Sequence, residues 1–170
     1  MAAAAGAVGA FVVSYLMFKS YDLSMVLNGI LGGLVGITAG ADVVSVGSSI
    51  LIGFIAGCII PVSVVGFDKM KLDDPVGATS VHLVCGIWGT LAVGIFGIGE
   101  FSIVTQLIGI ASIGAFSFAF AFALFFILKV TVGIRVSAEE EIKGLDLAEH
   151  DMSAYQGEVR DDVYAFSPVE

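Results

Sequence analysis

Asp73-Asp74-Pro75-Val76-Gly77-Ala78-Thr79-Ser80-Val81-His82-Leu83-Val84-Cys85-Gly86-Ile87-Trp88-Gly89-Thr90-Leu91-Ala92-Val93-Gly94 passes from two carboxylates, through a proline, into an apolar run. That run, Val76–Gly99, contains no Lys, Arg, Asp or Glu, and His82 is its only histidine. About 20 apolar residues are needed for a helix to cross the hydrocarbon core, and lipid tolerates no unpaired backbone, so the segment reads as a transmembrane helix. Four similar runs surround it. Met1–Phe18 is closed by Lys19, Leu23–Ala41 by Asp42, Val43–Phe67 by the Asp68–Asp74 cluster, and Phe101–Leu128 by Lys129. The expected fold is therefore an all-α integral membrane bundle of five segments, 1–18, 23–41, 43–67, 76–99 and 101–128, within a transmembrane domain over 1–133. Short links make sequence neighbours antiparallel neighbours in space.

Composition agrees with this reading. The chain has 170 residues, of which 58% are hydrophobic and 14% charged, and its mean hydropathy is +1.02. A soluble domain of this length needs roughly 25% charged residues to coat itself. Residues 134–170 carry 3 Lys/Arg against 10 Asp/Glu, so most of the net charge of −9 sits in an acidic tail, which argues against nucleic acid or anionic headgroups as partners. Cys58 and Cys85 lie in apolar runs outside any CxxC pair and read as small buried hydrophobes, with neither a disulfide nor a metal site expected.

Basic residues near helix ends favour the cytoplasm. Lys19, Lys69, Lys71, Lys129 and Arg135 all follow odd-numbered runs, which places Met1 outside the cell membrane and the tail, 134–170, in the cytoplasm. The uncharged opening, Met1-Ala2-Ala3-Ala4-Ala5, lacks the basic region of a signal peptide, so Met1 is expected to lie partway into a helix of a longer protein. Gly29 and Gly33, the series Gly32, Gly36 and Gly40, and the pair Gly53 and Gly57 recur every four residues and predict closely approaching backbones. The phenylalanine-rich fifth run is expected on the outside, facing lipid.

Ionisable side chains inside a membrane mark a pathway by default, and only His82 qualifies. Eight helical residues from Asp74 would carry it about 12 Å into the membrane. An uncharged imidazole there donates from one nitrogen and accepts at the other, which suits relay of a small polar solute. Asp74 reads as a helix cap, with Pro75 at the first helical position. Asn28, Thr38, Ser45, Ser48, Ser49, Thr79, Ser80 and Thr90 are polar enough to line a passage, but hydroxyls in membrane helices commonly bond back to their own helix, so none of these stands out from the rest. Beyond the membrane, Ser137 and Glu140 have capping-box spacing, opening a short helix that Gly144 should end.

The stretch Asp73–Gly94 resembles the tenth helix of the ammonium transporter (Amt/Mep/Rh) family. Leu27-Asn28-Gly29 through Ile37-Thr38-Ala39 resembles that family's eighth helix, and Val132–Tyr155, with Arg135, Gly144, Asp146 and Tyr155, its cytoplasmic carboxyl-terminal region. The resemblance implies eleven helices built as two inverted repeats plus a final helix, of which this chain would supply the seventh to the eleventh. It implies a non-enzymatic, cofactor-free path for ammonium or ammonia in each subunit of a homotrimer, with His82 matching the second of two pore histidines. Asp74, Trp88 and Asn28 would support that pore, and the tail would meet a PII-type signalling protein. A membrane ammonium sensor with the same fold is the alternative. Gly77, where many members have an acid, Leu83, where many have glycine, and Asp151, which replaces the usual glycine after His150, depart from the pattern.

Overall fold

A computed structural model describes residues 1–154. Tyr155 lies outside the described residues. The chain divides into two compact units, Met1–Phe116 and Ser117–Glu170. The helices are α1 (Ala2–Phe18), α2 (Leu23–Thr38), α3 (Val46–Lys69), a π-helix (Thr79–Val84) continuous with α4 (Cys85–Phe96), α5 (Ile103–Thr131), α6 (Ala138–Lys143) and α7 (Leu145–His150).

Glycine explains how the first unit packs. A methyl group on Gly53 would strike Ala2, and one on Gly57 would strike Gly6, so α1 and α3 rise together in parallel with backbones in contact. Gly33 faces Ala2 while Gly29 faces Gly6 and Ala10, so α2 runs the other way. The second glycine face of α2 meets α3 and α4: Gly32 touches Ile60 and Cys85, Gly36 touches Ala56 and Trp88, and Gly40 touches Val93. Alternation of direction along α1 to α4 follows from these pairs. Without a hydrophobic difference between lipid and side chain, such close approach supplies the van der Waals contact that holds membrane helices together. The central cluster is Ala56, Ile60, Val81 and Cys85, flanked by Met25, Val35, Ile59, Val64 and Trp88.

Element ends depart from the hydropathy runs by a few residues because local chemistry, not apolarity, terminates a helix. Ser45 accepts from Ser48 N–H at 3.1 Å, so α3 starts at Val46 rather than Val43. Val43 and Val44 instead join the neighbouring connection, with Ile98 N–H donating to Val43 C=O at 2.7 Å. The Asp22 side chain caps α2 at Met25 N–H. Between α1 and α2 the chain turns at Lys19, whose φ of 57° is left-handed. Tyr21 stacks on Phe11 and Tyr15 there, with centroids 5.3 and 5.2 Å apart.

Among the described residues three helices, Val46–Lys69, Thr79–Phe96 and Ile103–Thr131, are long and apolar enough to cross a membrane. Ala2–Phe18 and Leu23–Thr38 are apolar but shorter, at 17 and 16 residues. Pro61 sits inside α3, fully buried, and leaves Gly57 C=O without its usual i+4 donor. α5 buries none of its residues among those described.

Candidate functional site

The site forms around the start of the fourth span. Pro75 lies not at the first helical position but in a turn, closed by Gly77 N–H donating to Asp74 C=O at 3.1 Å. Gly77 leaves that turn at φ 72°, a conformation in which a side chain is strained, and a Cβ there would stand 2.6 Å from Asn28 Nδ2. This accounts locally for a glycine at position 77. The helix therefore begins later than the apolar run, which shortens the helical path from the turn to His82.

Asp74 caps it nonetheless. Both carboxylate oxygens accept from Thr79 N–H at 3.1 Å, and Oδ2 also accepts from Ser80 N–H at 3.3 Å. Caps of this kind contribute about 1 kcal/mol. Asn28 holds the same turn from α2, its Nδ2 donating to Val76 C=O at 3.1 Å. Asp74 and Asn28 thus converge on one turn although 46 positions separate them in the chain.

The first turns of the span are π-helical, over Thr79–Val84. The i→i+5 pattern inserts one residue relative to an α-helix, and such segments recur at functional sites. Nothing in the sequence pattern signalled it. Its inner face is Ser80, Val81 and then Cys85, all buried, while His82 and Leu83 are exposed on the other side. Cys85 Sγ donates to Ala56 C=O at 3.6 Å, and Trp88 Nε1 donates to Ile52 C=O at 3.0 Å, so two side chains one turn apart anchor the span to successive turns of α3. Trp88 therefore fixes the helix that carries His82.

Thr38 and Thr90 hydroxyls donate to the carbonyls four residues earlier, Leu34 and Gly86, and Ser49 to Val46 C=O. Ser14 and Ser80 differ: both hydroxyls are buried and neither has a hydrogen-bond partner among the described residues. Ser80 is the polar group of this region that the sequence did not distinguish from the other hydroxyls. Its only signal was its position two residues before His82.

In the second unit, Arg135 Nη2 pairs with both oxygens of Glu141 at 2.9 and 3.0 Å. Ser137 and Glu140 form the capping box: Ser137 Oγ accepts from Glu140 N–H at 3.3 Å, and Glu140 Oε2 accepts from Ser137 N–H at 2.9 Å. Gly144, at φ 96°, ends α6, and Asp146 accepts from Ala154 N–H at 3.0 Å. The bonds from the Ser137 hydroxyl and then its backbone N–H lower the Glu140 carboxyl from its ordinary 4.5. A lowered folded value means that this contribution to α6 is intact above 4.5 and disappears as pH falls through the lowered value. Amide chemical shifts of Glu139–Lys143 should report loss of helix on acidification into that range. Ser137→Ala should have reduced helix already at neutral pH and a weaker acid response; an identical titration in the variant would exclude the capping box as the cause.

The family described as Ammonium Transporter Family matches residues 1–155. This chain belongs to the ammonium transporter family. Amt2 of Archaeoglobus fulgidus is 42% identical to it over 174 residues, which cover 91% of this chain and 37% of that protein. Amt2 of Methanocaldococcus jannaschii is 39% identical, covering 93% of this chain and 38% of that protein. Both are named ammonium transporters rather than enzymes. Among solved structures, one described as a sensor Amt protein superimposes with a TM-score of 0.81 at 34% identity, over 87% of this chain and 39% of that one. Mep2 of Saccharomyces cerevisiae gives 0.73 at 25% identity, over 81% and 36%. The fold is thus that of an Amt/Mep membrane protein, and the chain spans somewhat over a third of the length of these relatives.

Proposed function

We propose that this chain supplies one half of a transmembrane path for ammonium, as the carboxyl-terminal part of a whole transporter, and that His82 lines the path. The observation that carries this reading is the presentation of His82. Within an apolar span, a π-helix held by Asp74 exposes the imidazole on the side opposite the core of Val81 and Cys85. Moving an intact ammonium ion through hydrocarbon costs several kcal/mol in desolvation, whereas ammonia crosses cheaply. An uncharged imidazole accepts a hydrogen bond from the solute at one nitrogen and donates from the other, so it can take part in deprotonation and proton relay without imposing a charge.

In this reading residues 1–133 form the transmembrane domain, and 134–170 form a cytoplasmic tail with Met1 outside. Asp74, Asn28 and Trp88 act as supports, holding the turn and the helix that present His82. The protein works as a homotrimer, each subunit with its own path. Arg135, Gly144, Asp146 and Tyr155 belong to a regulatory tail that meets a PII-type signalling protein. Liposomes containing the whole transporter to which this chain belongs should take up radiolabelled methylammonium faster than empty liposomes and exclude potassium; equal uptake by both preparations refutes transport.

A second reading is an ammonium sensor in which the same fold binds ammonium and the tail signals. It is favoured by the likeness to the sensor Amt structure. Saturable ammonium binding without flux, coupled to a change in α6 and α7, would select it over transport.

A further inference from the structure

The carboxyl-terminal part of α5 carries a feature that conduction does not use. Phe118, Phe122 and Phe126 stand one turn apart and stack on one another, with centroids 6.1 and 6.4 Å apart and planes inclined by 19° and 10°. These three residues are 74%, 65% and 57% exposed. With Ala121 and Phe125 they line a groove of about 440 Å³, bounded at its end by Lys129 and Ile134. Gly133, at φ 87°, turns the chain just before Ile134. Lys129 makes no ion pair among the described residues.

The length and chemistry of this groove suit one acyl chain with a headgroup phosphate at its end. Eleven residues separate Phe118 from Lys129, about 17 Å at the helical rise, and one leaflet of hydrocarbon is roughly 15 Å thick. A wall of rings one leaflet long, ending in an ammonium that reaches headgroup depth by snorkelling, offers an acyl chain apolar contact and a phosphate a counter-charge. The acidic excess in residues 134–170, 10 Asp/Glu against 3 Lys/Arg, disfavours a headgroup that is negative overall. We propose that this groove is a binding site for one glycerophospholipid with a zwitterionic headgroup, drawn from the leaflet on the Lys129 side, its acyl chain along the phenylalanine ladder and its phosphate on Lys129.

The test uses the full protein in phosphatidylethanolamine liposomes containing a trace of the same lipid with a photoreactive diazirine on its acyl chain. After irradiation, peptide mapping should place label on 118–126 in excess over 104–113 of the same helix. Lys129→Glu should lower that excess about fivefold, the upper end for one exposed ion pair, and Phe122→Ala should lower it as well. Both positions are exposed, and gel filtration checks that each variant remains folded. Replacing half of the phosphatidylethanolamine by phosphatidylglycerol should not lower that excess. Label spread evenly along α5, or unchanged in Lys129→Glu, would mean ordinary surrounding lipid and overturn the site. A lower excess with phosphatidylglycerol present would overturn the headgroup assignment. A photoreactive residue at position 122 that joins protein instead of lipid would show that the groove is a protein contact.

Discussion

Replacing His82 by alanine in the whole transporter should cut methylammonium uptake roughly ten- to hundredfold, or admit potassium, because the proposed path would lose its hydrogen-bonding side chain at depth. The range corresponds to losing a hydrogen bond to a charged group, about 1.5–3 kcal/mol. Uptake into liposomes, measured with and without a potassium gradient, reads both outcomes. His150→Ala provides the control, since His150 is exposed at the end of α7 in the second unit. The variant should fold normally: His82 is exposed, and the bonds that anchor its helix belong to Asp74, Cys85 and Trp88. Unchanged uptake and unchanged selectivity would remove His82 from the path.

The second large effect concerns assembly of the bundle. Gly57 and Gly66 lie on the same helix, yet alanine should do opposite things at the two positions. A Cβ on Gly57 would overlap Gly6 C=O and lie 2.7 and 2.8 Å from Gly6 C and Cα, all of it backbone that no rotamer change can move. The helices must part, at a cost of about 1–3 kcal/mol or more for overpacking, and the dispersion attraction between the two backbones weakens as they separate. A Cβ on Gly66 meets nothing within 4 Å. There alanine brings only its helix preference, worth about 0.5–1 kcal/mol in favour of folding. Thermal unfolding in detergent, monitored by gel filtration, should therefore show a lowered midpoint for Gly57→Ala and an unchanged or raised one for Gly66→Ala. Equal shifts at the two positions would mean that α1 and α3 are not packed backbone to backbone.

Much of the site was readable because it depends on local chemistry. The capping spacing of Ser137 and Glu140, the carboxylate of Asp74 beside a proline, and a lone histidine in an apolar run are short-range signals. The bonds that they predict form within a few residues of chain. What escaped was the turn over Asp74–Gly77 and the π-helix after it. Both depend on Asn28, 48 residues from the carbonyl it binds, and on two acceptors in α3 that fix Cys85 and Trp88. An apolar run reads the same in α- and π-helical form, since hydropathy reports the solvent and not the hydrogen-bond register. Ser80 did not stand out for a related reason: a serine in a membrane helix ordinarily satisfies itself, as Thr38, Ser49 and Thr90 do.

By itself, the order of amino acids determined that the chain belongs in lipid, how many apolar stretches it has, where the cations and acids divide it, and which glycine faces are available for close packing. These follow from transfer free energy and side-chain size, which are properties of residues. Only the tertiary structure decided which glycine face meets which helix, where the fourth span begins to coil, and that His82 is turned away from the buried cluster. Each of those is a choice among sterically similar packings, settled by hydrogen bonds and backbone contacts between residues far apart in the chain.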